Sequence, residues 1–183
     1  MDSPFANLFL AVQARLLDQV PELATIDQDL MQFEHEKPPV NWPAGLIDME
    51  AFQMSDMGAL AQIIQGIVLI RIGYNPYSNT GVGVPQEFKE QALSYYDIEF
   101  KVYKALHGWS PGGIFGKLTR VSANTDKERD LLIRVRELRF AIGGEDYSAK
   151  KAVTTHKAEP ELTVQFEGGT PETPSSPASP ASP

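Results

Sequence analysis

Glu34-His35-Glu36 sets an imidazole between two carboxylates, the residue types that ligate a divalent metal. Their adjacency works against that chemistry: neighbouring residues of an extended chain point to opposite faces and do not converge on one ion. A solvated charge cluster fits the spacing better. The other two histidines add nothing to it. His107 closes a helical pattern, where the helix dipole accounts for it, and His156 lies in a Pro/Ser-rich tail. Asp48 and Glu50 share one face of a strand and imitate the carboxylate pair of a general acid–base catalyst. An exposed acidic face explains them with fewer demands. Gly81-Val82-Gly83 lacks the third glycine and helix start of a dinucleotide fingerprint, and no lysine followed by Ser or Thr makes a P-loop. No Gly-x-Ser-x-Gly elbow is present either. The residues therefore imply no catalytic, metal-binding or cofactor-binding set, and the expectation is a protein that is not an enzyme and needs no cofactor.

Arg134, Arg136 and Arg139 form the one basic concentration, suited to DNA or to an acidic neighbour. The charge distribution favours the second. Residues 1–60 hold ten acidic and two basic residues, whereas residues 61–147 hold ten acidic and eleven basic. The net charge of −8 thus resides in the first third, and no clustered basic footprint for gripping phosphates appears. Such a surface lets DNA slide past without sticking.

A chain of 183 residues with 42% hydrophobic residues supports one domain with a proper core. The absence of cysteine removes disulfides, thiolate nucleophiles and sulfur-ligated metals. Met1-Asp2-Ser3-Pro4 lacks the basic start of a leader, and the longest apolar run, Gly66 to Ile70, is too short to span a bilayer. A soluble protein with no membrane partner is expected.

These residues must be positioned by a small set of elements. Ser3-Pro4 predicts a helix start, and Phe5, Leu8, Phe9, Val12 and Leu16 recur at helical spacing until Val20-Pro21. Glu22 to Asn41 reads as a long connection, which Pro38 and Pro39 hold extended as a stiff arm. A first strand is expected at Ala44 to Phe52, then a turn at Met54 to Gly58. Leu60 to Tyr74 gives the strongest strand signal, with Ile64, Val68, Ile70 and Ile72 on one face. Asn75 to Pro85 is a projecting loop by composition and length. Gln86 to His107 predicts one amphipathic helix burying Phe88, Ala92, Tyr95, Tyr96, Val102, Tyr103 and Leu106, stopped by Gly108. Two more strands follow, Ile114 to Ala123 and Leu131 to Ile142, joined by a turn over Asn124 to Asp130. The last strand changes phase near Arg136, which implies a bulge or two packing surfaces. The fold class is α+β: a mixed or antiparallel four-stranded sheet flanked by two main helices, with long projecting loops. Residues 1–147 form the domain. Residues 148–183 form a flexible Pro/Ser-rich tail, in which Glu161 to Glu167 has a strand pattern and Ser175 to Pro183 is low complexity.

The order helix, proline-bearing connection, strand, long strand, loop, helix, strand, strand resembles the tail terminator (tail completion) proteins of long-tailed bacteriophages. The residues carrying the resemblance are the amphipathic start through Leu16, Val20-Pro21-Glu22-Leu23, Lys37-Pro38-Pro39-Val40-x-Trp42-Pro43, Leu46-Ile47-Asp48 and Val68-Leu69-Ile70-Arg71-Ile72. The resemblance as a whole covers roughly residues 5–145, with the tail outside it. The resemblance implies a hexameric ring that caps the tail tube, ends its polymerisation and joins tail to neck, with DNA crossing the lumen only as cargo. Its partners would be copies of itself, the tail tube protein and a neck or stopper protein, and its location the tail–neck junction of the virion after assembly in the host cytoplasm. The alternatives are another neck component, such as an adaptor or stopper, the terminator of a contractile injection system, or, in a different class, a monomeric ligand-binding or chaperone module. On the ring reading the subunit and tube contacts fall on Glu34, His35, Glu36, Pro38, Trp42, Tyr74, Tyr77, Asn79, Val82, Arg134, Arg136 and Arg139.

Overall fold

A computed structural model of the chain describes residues 3–74, 81–126 and 133–150. Helix α1, Pro4–Gln19, starts as expected: the Ser3 hydroxyl accepts from the Ala6 N–H at 3.4 Å, and Pro4 fills the first turn. Its Leu8, Val12 and Leu16, spaced by four, face the core. Strand β1, Thr25–Gln28, follows within the stretch predicted as connection. A 3-10 turn at Gln32–Glu34 leads to β2, Ala44–Gly58, and β3, Ala61–Tyr74. Next come α2, Gln86–Leu93, and α3, Tyr95–Leu106, then β4, Thr119–Asp126, and β5, Arg134–Asp146. The five strands form one sheet in the order β1-β2-β3-β5-β4. Only β1 pairs in parallel, with Ala44 to Ile47 of β2; every other pair is antiparallel. The fold is α+β with helices beside a mixed sheet, as the sequence implies, with one strand more than expected.

Several expectations are corrected. The hairpin does not turn at Met54 to Gly58; β2 runs on to Gly58, and the reversal falls on Ala59 and Leu60, both left-handed with φ 52° and 61°. The single helix over Gln86 to His107 is two, divided at Ser94, whose hydroxyl donates to the Gln91 carbonyl at 2.8 Å. Phe88 and Tyr96 are exposed, while Ala92, Tyr95, Val102 and Leu106 are buried. Gly108 adopts the left-handed cap, φ 77°, and donates to the Leu118 carbonyl at 2.8 Å. His107 is used beyond any dipole effect, because its Nδ1 accepts the Arg120 N–H at 3.1 Å. Strand β4 starts later and ends later than expected.

The phase change of β5 is not a bulge against its central neighbour. Its register with β3 runs unbroken from Gln62↔Asp146 to Tyr74↔Arg134. Leu138, Phe140 and Ile142 join the main core beneath the helices, and Val135 joins a second cluster on the opposite face. Two packing surfaces are the reason. Ile64, Val68, Ile70 and Ile72 of β3 point into the main core with α1 and α3, as their even spacing predicts. Residues 75–80, 127–132 and 151–183, which include parts of the loop expected at Asn75 to Pro85, the turn expected at Asn124 to Asp130 and the tail expected over residues 148–183, lie outside the described residues.

Candidate functional site

The helices cover one face of the sheet. On the other face the segment between β1 and β2 folds back instead of standing out as an arm. Phe33 is wholly buried, stacked on Trp42 with ring centroids 5.6 Å apart. Together with Val40, Ala44, Leu46 and Val135 they close one end of that face. Gly73 makes this closure possible, since a Cβ there would lie 2.5 Å from Phe33 and 2.6 Å from Trp42. Burying two aromatic rings against apolar strand residues outweighs the preference of Pro38-Pro39 for an extended, solvated chain.

Next to this cluster sits Arg71, a cation near the C-terminal end of the central strand β3. Its Nη1 lies 2.8 Å from Asp29 Oδ2, and its Nη2 lies 3.1 Å from Glu34 Oε1 and 3.5 Å from Asp126 Oδ2. Glu137 Oε1 is 3.8 Å from Nε, too far for a hydrogen bond, so the buried Nε–H meets no acceptor among the described residues. The guanidinium also lies 5.7 Å from the Phe33 ring centroid. A second arginine continues the network: Arg139 Nε is 3.1 Å from Glu50 Oε2, and Nη1 is 2.9 Å from Glu137 Oε2. The hydrogen bond to Glu50 is the main reason the Arg139 guanidinium is held above its usual pKa. These side chains line an open cleft of about 680 Å³ whose walls include Asp48 and Asp126.

Arg136 points to the helix face instead. It makes a two-point contact with Glu99 of α3, at 2.6 and 3.0 Å, and donates to Thr125 Oγ1 at 2.7 Å. The Glu99 hydrogen bond raises its pKa against the opposing effect of burial. Arg134 donates to the Tyr95 hydroxyl and stacks over that ring at 4.8 Å. The pairing expected between the strand arginines and the acidic first third thus holds for Arg139 and Glu50. Arg136 finds its carboxylate on α3.

The remaining predicted site residues are scattered. Glu34 pairs with Arg71 but is exposed, as are His35 and Glu36, and no described group of three or more His, Cys, Asp or Glu is arranged to hold a metal ion. Pro38 and Trp42 are half-buried against the sheet. Tyr74 is buried, its hydroxyl donating to the Tyr95 carbonyl at 3.0 Å. Val82 is fully exposed in the turn before α2. Tyr77 and Asn79 lie outside the described residues. Sequence reasoning missed Arg71 as a centre. The available signal was a lone cation inside the apolar run Val68 to Ile72, which a buried strand tolerates only with partners.

No protein-family model matches the chain, and no curated protein does. Among solved structures it is similar to a chain described as "Virion of native gene transfer agent (GTA) particle". The TM-score is 0.49, with 16% identity, covering 80% of this chain and 100% of that one. No helix among the described residues is long and apolar enough to cross a membrane.

Proposed function

We propose that the chain is a virion structural protein of the tail-terminator kind. Six copies close into a ring that caps the tail tube, ends its polymerisation and joins the tail to a neck or stopper protein. It acts through its interfaces, without catalysis or a cofactor. The observation that carries this reading is where the residues of the resemblance come to lie. Val40, Trp42 and Leu46 meet in the cluster that closes one end of the sheet, and Val68, Ile70 and Ile72 form the strand beneath the helices. Separate stretches of the resemblance thus pack on the two opposite faces of one sheet. The charges are compatible with DNA as passing cargo. Arg136 and Arg139 spend their charge on Glu99, Glu50 and Glu137, so neither is free to hold phosphate.

Multi-angle light scattering of the full chain, with and without tail tube protein, tests the reading. A species of six chain masses, alone or with tube protein, and arrest of tube growth are expected. A monomer that ignores tube protein and leaves tube length unchanged would overturn it.

A further inference from the structure

We propose that the outer edge of β2 accepts an added strand from a different protein, an extended segment alternating apolar and basic side chains. β1 covers that edge only from Ala44 to Ile47, while β2 continues to Gly58. Among the described residues no strand pairs there beyond Ile47. The Ile47 carbonyl accepts the Asp29 N–H at 2.9 Å on this side. By strand geometry the Met49 N–H points the same way. Among the described residues it is met only by the carboxylate of its own neighbour, Asp48 Oδ1, at 2.7 Å. A local side-chain bond therefore stands where a ladder partner would sit, and an incoming carbonyl can replace it.

The two faces of this edge differ, and the difference specifies the occupant. On the helix face a groove of about 480 Å³ opens between α1 and β2, with an apolar lining of Phe5, Phe9, Leu10, Ile47 and Met49, to which Gln28 of β1 and the edge residue Asp48 add polar groups. Leu10 leaves 48% of its surface in water there. On the opposite face stand Asp48 and Glu50, and Asp48 meets no cation among the described residues. Between Asp18 and Ile70 the only basic residue is Lys37. Strand side chains alternate, so an added strand places every second residue in the apolar groove and the others beside carboxylates. The strand arginines with their apolar neighbours, Arg134 to Phe140, change phase near Arg136 and are already inside the sheet, which points away from a second copy supplying the added strand. The register shift between Glu50 and Gln53 ends the ladder and keeps the added strand short. The proposal holds whether or not the ring forms.

Fluorescence anisotropy of the full chain with a labelled nine-residue peptide alternating valine and lysine tests it. Saturable binding is expected, weakened at least about tenfold by N-methylation of the backbone nitrogens on one edge of the peptide. Leu10→Asp, at an exposed position, and Asp48→Asn should each weaken it while circular dichroism stays unchanged. A valine–glutamate peptide should not bind. No binding, equal binding of the glutamate peptide, or binding indifferent to N-methylation and to both variants would overturn the proposal, the last by revealing only attraction to an acidic surface.

Discussion

Arg71 and Tyr74, three residues apart on β3, show how single side chains set the stability of this fold. Arg71 is only 9% exposed and gathers Asp29, Glu34, Asp126 and Glu137 around it. Removing the cation leaves carboxylates crowded in a partly buried site. Arg71→Met is expected to cost about 3–5 kcal/mol in urea denaturation, well above the cost of deleting an exposed pair such as Lys101–Glu22. Its partners lie 37 to 42 residues away for Glu34 and Asp29 and on separate strands for the others, so no local pattern announces them. Tyr74 carries a pH signature. Burial is the chief cause that pushes its phenol far above the ordinary tyrosine range. The folded state therefore keeps a proton that the unfolded chain releases near pH 10, so this contribution is full below about pH 10 and is lost as pH rises beyond it. Tyr74→Phe should move the onset of alkaline unfolding upward, while the lost hydrogen bond to Tyr95 costs about 1 kcal/mol at neutral pH. Tyr95, raised likewise by burial, retains part of the alkaline response. A pH series of thermal melts measures both effects.

The elements differ in how much of themselves they write locally. β3 is legible because Ile64, Val68, Ile70 and Ile72 are branched, evenly spaced and all inside. β1 is four residues, half of them exposed, and exists only because the start of β2 offers it an edge. No short pattern reveals it. β2 is legible to Phe52 and then fades, since its far half leaves the core and its residues from Gln53 to Gly58 are exposed. Composition there resembles a turn, although backbone pairing with β3 persists. The actual reversal is built from residues poorly suited to it. Ala59 and Leu60 both hold positive φ, the geometry of a two-residue turn that favours Asn-Gly. The double change Ala59→Asn and Leu60→Gly should stabilise the protein by roughly 0.5–1 kcal/mol in urea denaturation, because it relieves two left-handed side-chain residues. It also removes an exposed leucine, 62% in water, from the hairpin tip.

Across the whole molecule the sequence conveys layers better than closures. A reader of the pattern finds helices, strands and the unbalanced charge. What hides is that residues 29 to 43 close one end of the second face, because Phe33 and Trp42 give no periodic signal and their receptor is an absence of side chain at Gly73. The ring reading makes that capped end and the open remainder of the face unequal surfaces, as a device that ends a polymer requires of its two sides. The unbroken β3–β5 register has a different consequence, for time. It joins residue 62 to residue 146 at one end and 74 to 134 at the other. The sheet's central seam thus awaits closure of about sixty to eighty intervening residues before it gains anything, a high contact order that slows folding. The β2–β3 and β4–β5 pairs and the helices are local enough to form early, so the seam that binds the sheet together is among the last parts of the molecule to arrive.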